Sequence, residues 1–178
     1  MIETPRLILR NWTDQDYDAL LAICSDPKVM EYFPATLTAA ETKGFLSRLQ
    51  KSYTEKGYTY FAAEHRESGD VVGFIGLADQ KYKSPFTPAT DIGWRLLPKY
   101  WGKGLATEGA KACLKFAFET AALKEIIAVA TVSNLPSIRV MEKIGLKEWG
   151  YFDHPALMDH KTLKNCVVYG TRNPVSLS

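Results

Sequence analysis

The sequence predicts an α/β (α+β) domain of about seven strands and four helices. Segments in which apolar and polar residues alternate are interleaved with segments in which apolar residues recur every three or four positions, and glycines, prolines and aspartates separate them. The resulting order is β-α-α-β-β-β-α-β-α-β-β. Since the chain has 178 residues and shows no repeat, low-complexity tract or Gly/Ser-rich linker, we expect a single domain spanning residues 1–178.

The first third of the chain contains a strand and two helices. Residues 6–10 alternate in the manner of a strand, and residues 13–16 form a helix cap directly after it. Thr38 and Glu41 have the spacing of a capping box, and apolar residues follow at helical spacing until Gly57. The sequence therefore predicts a strand that leads into a pair of helices.

In the middle of the chain the apolar residues recur at every second position, as in a β-strand. Residues 58–65 and 71–77 are strand candidates joined by a turn at residues 67–70, which predicts a hairpin. Residues 90–97 form a further strand that Pro98 ends. Three neighbouring strands are the simplest arrangement for this region.

The last part of the chain alternates between helices and strands. Residues 126–131 are a short apolar run typical of a buried strand, residues 136–144 form a helix that ends before Gly145, and residues 147–152 and 163–170 are strands. A longer helix precedes them, and its apolar face consists of Ala106, Ala110, Cys113, Leu114, Ala117 and Ala121.

Composition excludes several classes of function. Twenty-two basic against twenty acidic residues give a net charge of +2, which is too small for binding nucleic acid by charge alone. The longest apolar run, residues 19–24, is far shorter than the ~20 residues of a membrane span, and we expect neither a span nor a signal segment. The three cysteines lack metal-ligand spacing, so we expect reduced thiols, no metal and a cytoplasmic protein.

Two glycines mark the junction between the strand at 90–97 and the long helix. The first amides of a helix have no partner within the helix, and the helix dipole favours an anion beside them, so Gly102 and Gly104 suggest a phosphate site. Ordinary loop chemistry explains the glycines equally well. A nucleotide P-loop is excluded because Gly104 follows Lys103, and a Rossmann site because Thr107 takes the place of the third glycine.

Two motifs, in this order, give the chain a family resemblance. Residues 99–106 resemble a pyrophosphate motif, Gln/Arg-x-x-Gly-x-Gly/Ala, and residues 134–146 resemble Asn-x-x-Ser followed by a helix that ends in Glu-Lys-hydrophobic-Gly. The chain thus resembles the GNAT superfamily of acetyl-CoA-dependent N-acetyltransferases. Residues 4–10, 101–108 and 152–155 are most similar to the branch that contains the ribosomal-protein N-terminal (alanine/serine) acetyltransferases.

This resemblance implies a fold, a reaction and a coenzyme site. The fold is the GNAT fold, a mixed, mostly antiparallel twisted sheet that is splayed at the middle, and the reaction moves the acetyl group of acetyl-CoA to a primary amine by direct attack on the thioester. The partners are acetyl-CoA and an amine of unspecified structure, without metal, nucleic acid or membrane, and a homodimer is left open. The coenzyme-binding residues implied are Leu96, Leu97, Lys99, Gly102, Lys103, Gly104, Leu105, Ala106, Thr107, Asn134 and Ser137.

The resemblance also suggests catalytic residues, each with a plainer alternative. Asp91 is the candidate base for the amine, or an exposed aspartate at a strand end. Ser137 is the candidate partner of the leaving sulfur, or a serine at a helix N-terminus, and Asn134 binds the pantetheine arm or caps the helix.

Two positions depart from the family pattern. Lys99 replaces the usual Gln or Arg, and Met141 stands where many members have a tyrosine that protonates the thiolate. The second departure keeps an alternative function open, namely an acyl-CoA-binding regulatory module with weak catalysis.

Overall fold

An eight-stranded sheet runs through the molecule, and four α-helices accompany it. The structure is a computed structural model that describes residues 1–173. The strand order across the sheet is β1-β2-β3-β4-β5-β6-β8-β7. The strands are β1 (Ile2–Glu3), β2 (Leu7–Arg10), β3 (Tyr60–His65), β4 (Val71–Gln80), β5 (Ala89–Leu96), β6 (Glu125–Thr131), β7 (Lys147–Asp153) and β8 (Asn165–Arg172). The helices are α1 (Tyr17–Ser25), α2 (Ala39–Lys56), α3 (Leu105–Glu119) and α4 (Leu135–Lys143).

The predicted fold class is confirmed, with one additional strand. Each strand and helix predicted from the periodicity is present within a few residues of its expected bounds. The addition is β1, which has two residues and pairs antiparallel with β2 through Ile2 opposite Leu9. Two residues are too few to show a period, so the sequence pattern gave no sign of this strand.

The sheet is splayed between β5 and β6. β5 pairs with β4 in an antiparallel ladder from Ala89 to Leu96, and β6 pairs with β8 over its whole length. Between β5 and β6 the pairing is parallel and consists of one residue pair, Asp91 opposite Ile127. Beyond that pair each strand is held by its other neighbour, so the carboxyl ends of β5 and β6 separate and leave a gap.

The face of β5 that points toward α1 and α2 follows from the register. Arg95 lies opposite Phe74, and Asp91 lies opposite Ala78 on β4. Phe74 belongs to the core cluster that α1 and α2 form with the sheet, together with Trp12, Leu20, Ile23, Leu46 and Leu49. Directly opposed residues share a face, so Asp91, Gly93 and Arg95 all belong to the face that α1 and α2 cover.

Other features bear on the class of protein. No helix formed by residues 1–173 is both long and apolar enough to cross a membrane. Cys24, Cys113 and Cys166 are buried free thiols. Within the same residues no group of His, Cys, Asp and Glu side chains is arranged to hold a metal ion.

Candidate active site

The connection from β5 to α3 opens a stretch of backbone to solvent. After β5 the chain makes a 3-10 turn at Pro98–Tyr100 and reaches α3 through Gly102 and Gly104, whose φ values are +71° and +78°. Residues other than glycine rarely adopt such φ values. A Cβ atom on Gly102 would meet no atom of residues 1–173 within 4 Å, so none of the described chain covers this side of the turn.

The backbone amides of residues 102–107 have no hydrogen-bond acceptor among the described residues. The first amide with an acceptor is that of Glu108, which donates to the carbonyl of Gly104 at 3.0 Å. Six consecutive N–H groups at the positive end of a 15-residue helix form a favourable environment for an anion. The turn therefore has the donors that the expected phosphate site requires.

Arg6 and Glu108 hold this turn against the start of the chain. The Arg6 guanidinium donates to the Lys103 carbonyl at 2.9 Å and to the Glu108 carboxylate at 2.7 Å, and the Arg6 backbone amide donates to the same carboxylate at 2.9 Å. Thr4 donates a further hydrogen bond to Glu108 at 2.7 Å. Burial acts to raise the pKa of Glu108, but these hydrogen bonds and the Arg6 charge leave it below its usual value.

Sequence reasoning missed Arg6 as a residue of the site. The signal was present, because residues 4–10 were among those that carried the family resemblance. The link between residues about one hundred positions apart becomes visible only when β1 and β2 are placed beside α3. Arg6 thus positions the glycine turn.

Two lysines flank the same turn. The ammonium groups of Lys99 and Lys103 lie 4.9 Å and 5.5 Å from the centroid of the Tyr100 ring. A cation so placed is attracted by the ring quadrupole. Both residues expected to meet phosphate therefore bring positive charge to one edge of the turn.

The structure distinguishes the two amides expected at the end of β5. The Leu97 amide donates to the Val72 carbonyl at 2.9 Å, so it is not free to serve as a donor to a ligand. Neighbouring N–H groups along a strand point in opposite directions, so the Leu96 amide is directed toward β6, in the region where β5 and β6 have separated. The Leu96 carbonyl accepts from the Trp101 indole at 2.6 Å. Leu96 alone keeps the expected role of amide donor.

The connection from β6 to α4 provides the second group of expected residues. The Asn134 side-chain carbonyl accepts from the Ser137 amide at 3.2 Å and caps α4. The half-buried Ser137 hydroxyl makes no hydrogen bond to any residue in the range 1–173. Because β5 and β6 are parallel neighbours, α3 and α4 start at the same edge of the sheet, beside the gap.

Met141 on α4 lies in the core and is 1% exposed. The position that many family members give to a tyrosine therefore holds an apolar side chain packed away from solvent. A thioether cannot donate a proton, so Met141 cannot fill the role that the family resemblance gives to that tyrosine.

Asp91 is buried at the vertex of the splay. Its side chain accepts hydrogen bonds from the Tyr60 hydroxyl at 2.8 Å and from the Gln80 amide at 3.0 Å, and the residue is 8% exposed. Burial raises the pKa of Asp91 to about 6, although the two hydrogen bonds partly oppose the rise. The alternative of an exposed strand-end aspartate is wrong, since the carboxyl group is enclosed.

Comparisons with known proteins place the chain among acetyltransferases. Residues 6–147 match the model of the acetyltransferase (GNAT) domain. An uncharacterized N-acetyltransferase, YnaD of Bacillus subtilis (strain 168), is 33% identical over 152 residues, which are 85% of this chain and 85% of that protein.

Solved structures give the same result for the fold. The crystal structure of a GNAT-family acetyltransferase from Bacillus anthracis has a TM-score of 0.80 and 32% identity, and the match covers 97% of this chain and 98% of that one. Spermidine N-acetyltransferase from Vibrio cholerae, solved with CoA and spermine, has a TM-score of 0.77 over 98% of this chain and 100% of that chain. At 16% identity this second structure shows a shared fold only.

The first prediction concerns the stability of the buried carboxyl group. In an acid whose folded-state pKa is raised, the ionised form destabilises the fold, so the penalty is nearly absent at pH 4 and complete above pH 6. Asp91→Asn should therefore raise the free energy of unfolding at pH 8, by up to roughly 3 kcal/mol, and change it little at pH 4. Urea unfolding at both pH values measures the difference.

Asp79→Asn is the matched control, and its effect on the free energy of unfolding should have the opposite sign. Asp79 binds Lys56 at 2.6 Å and Tyr58 at 2.8 Å, and these contacts outweigh burial and lower its pKa. Its ionised form stabilises the fold, so Asp79→Asn should destabilise the protein at pH 8 and lose its effect as the pH falls below about 4. Equal destabilisation by both variants at pH 8 would contradict the assignment for Asp91.

Proposed function

Since the chain belongs to the acetyltransferase (GNAT) domain family, we propose that it transfers the acetyl group of acetyl-CoA to a primary amine by direct attack on the thioester. The amine is either the N-terminal α-amine of a protein or that of a small molecule. The observation that carries the proposal is the open row of amides at residues 102–107 beside a gap whose vertex holds Asp91. The free, buried thiols fit a cytoplasmic location.

The residues around the gap fit the coenzyme. The amides of residues 102–107, helped by Lys99 and Lys103, would hold its diphosphate, and the open side of the glycine turn leaves room for it. The Leu96 amide would polarise the thioester carbonyl. Asn134 uses its side-chain carbonyl as a cap and retains its NH₂ group for an amide of the pantetheine arm. Bound acetyl-CoA supplies the activated acyl group.

Asp91 is the proposed general base. The attacking amine must be neutral, and an α-amine with a pKa near ~8 loses its proton more readily than a lysine side chain near ~10.4. A carboxylate with a pKa of about 6 is ionised at neutral pH and accepts a proton more readily than an ordinary aspartate. The amine nitrogen then forms its bond to the acetyl carbon while the bond from that carbon to sulfur breaks.

Ser137 is the proposed partner of the departing sulfur. Its hydroxyl has no hydrogen bond to the described part of the chain, and its backbone amide is already satisfied by Asn134. The hydroxyl is therefore free to donate to a thiolate. This assignment supplies the role that Met141, packed in the core, does not fill.

The second prediction tests the coenzyme site. Gly104→Glu places a carboxylate beside the amides of the turn, so acetyl-CoA binding measured by calorimetry should be lost. Gly57→Glu is the matched control, because Gly57 has a nearly equal φ of +76°, lies in open space at the end of α2 and bears the same backbone strain. That control should keep wild-type affinity. Undiminished binding by Gly104→Glu would remove residues 102–107 from the site.

The third prediction concerns the pH dependence of the reaction. If Asp91 is the base, kcat/KM for the best amine in a panel of N-terminal peptides and small amines should rise with pH through a midpoint near 6. Asp91→Asn should remove that limb and lower kcat by about 100-fold or more. A variant that keeps both the limb and the rate would leave proton removal to water. Failure of the wild type to acetylate any amine would favour the regulatory module.

The fourth prediction separates chemistry from binding at α4. Ser137→Ala should lower kcat by about 10-fold or more, as expected when a donor to the leaving group is lost, while the dissociation constant for acetyl-CoA changes little. Ser133→Ala removes an exposed hydroxyl from the same connection and should alter neither quantity. If Ser137→Ala weakens coenzyme binding and leaves kcat unchanged, Ser137 is a positioning residue.

A further inference from the structure

Arg95 places a guanidinium group in an aromatic setting on the face of β5 that α1 and α2 cover. Its Cζ atom lies 4.0 Å from the centroid of the Phe33 ring and 5.0 Å from that of Phe74. Nη1 contacts the Cys24 sulfur at 3.8 Å, and Nε is fully buried and has no hydrogen-bond partner among residues 1–173. The guanidinium therefore has unused donor capacity in a poorly hydrated environment.

No carboxylate in the described part of the chain forms an ion pair with Arg95. By contrast, Arg6, Arg10, Arg66 and Arg172 each bind a carboxylate at 3.0 Å or less. Cys24 does not balance the charge, because burial raises the pKa of its thiol. Burial also lowers the pKa of Arg95 from its usual value, which reflects the loss of water around the cation. A cation in this position is stabilised when an anion binds beside it.

A pocket of about 360 Å³ opens onto Arg95 between the α1–α2 connection and the sheet. Its walls are largely apolar, and Arg48 adds a second cation. The carboxylate that lines it, Glu41, already accepts hydrogen bonds from the Thr38 amide at 2.8 Å and the Thr38 hydroxyl at 2.7 Å in the cap of α2. The pocket thus presents two guanidinium groups and no uncommitted carboxylate from residues 1–173.

The proposed base lies beyond the lining of this pocket, and the Tyr60 side chain packs on the sheet between the two. Arg95 and Asp91 lie on the same face of β5, four residues apart, which is about 13 Å along a strand. Between them the Tyr60 ring covers Gly93, stacks on Phe74 at 5.4 Å and donates to Asp91. One molecule that bridges this distance would meet a base at one end and a cation at the other.

We propose that the acceptor is an amino carboxylate, with its amine toward Asp91 and its carboxylate bound by Arg95 in this pocket. The inference rests on the proposed function and names the substrate class of the same site. The two groups are four positions apart on the strand, so the acceptor has several bonds between amine and carboxylate, as in an ω-amino acid or a short peptide with a free carboxyl terminus. The carbon chain of the acceptor contacts the apolar walls of the pocket.

The test compares carboxylates with their neutral carboxamides. Glycine, β-alanine, 4-aminobutyrate, 6-aminohexanoate and glycylglycine, each beside its carboxamide, are assayed with acetyl-CoA. The wild type should favour the carboxylate form of at least one of the longer acceptors by 10-fold or more in kcat/KM. Equal rates for every pair, or a preference for the carboxamides, would overturn the proposal without any variant.

Variants then assign the preference to Arg95. Arg95→Gln should reduce kcat/KM for the preferred carboxylate by about 100-fold, mainly through KM, and change the matching carboxamide less than 3-fold. Arg95→Lys keeps the charge and should recover part of the loss. Arg48→Gln, at the exposed rim of the pocket, is the control and should have a smaller effect. A larger loss for Arg48→Gln, or equal losses for carboxylate and carboxamide, would refute the assignment.

A binding measurement keeps this inference separate from the proposed function. Without acetyl-CoA, hexanoate should bind the wild type in calorimetry, hexanamide should not, and Arg95→Gln should abolish the difference. If no amine is acetylated while hexanoate still binds through Arg95, the proposed function fails and the anion site stands. If amines are acetylated but hexanoate and hexanamide bind alike, the anion site fails and the transferase stands. Thermal stabilisation of Arg95→Gln by acetyl-CoA verifies that the variant is folded.

Discussion

The arrangement of the site depends on the single residue pair that joins β5 to β6. Each of these strands has a complete ladder on its other side, so neither needs the other beyond Asp91 and Ile127. Their separation leaves strand edges facing an opening, which sheets ordinarily avoid because unpaired N–H and C=O groups remain exposed. In the proposed function, a substrate that supplies hydrogen-bond partners would turn this unfavourable edge into a binding surface.

The helices complete the opening because of their position relative to the two strands. α3 follows β5 and α4 follows β6, so both helices start where the strands have diverged. The amides of residues 102–107 have no acceptor in the part of the chain that the structure describes, whereas the first turn of α4 is capped by Asn134. The difference in capping makes the start of α3 the stronger anion site, and Arg6 with Glu108 holds it in place from the other end of the chain.

Two buried charged groups determine the chemical character of the face of β5 that α1 and α2 cover. Asp91 and Arg95 lie on one face of β5, and each loses hydration without gaining an ion-pair partner among residues 1–173. Groups in this condition lower the stability of the fold, and proteins retain them mainly where binding or catalysis uses them. Tyr60 lies between them and stays neutral, since burial raises its pKa well above the usual value.

The sequence by itself determined the fold class, the four α-helices, the strands of three or more residues and the glycine turn before α3, because periodicity, caps and glycines are local signals. The motifs at residues 99–106 and 134–146 also predicted the family. Only the tertiary structure decided that Asp91 is enclosed, that Leu97 is engaged by Val72 and that Arg6 holds the turn. It also decided that Arg95 has no counter-charge among residues 1–173. Those properties depend on which distant residues become neighbours, and the free energy of a buried charge depends on surroundings that no local pattern contains.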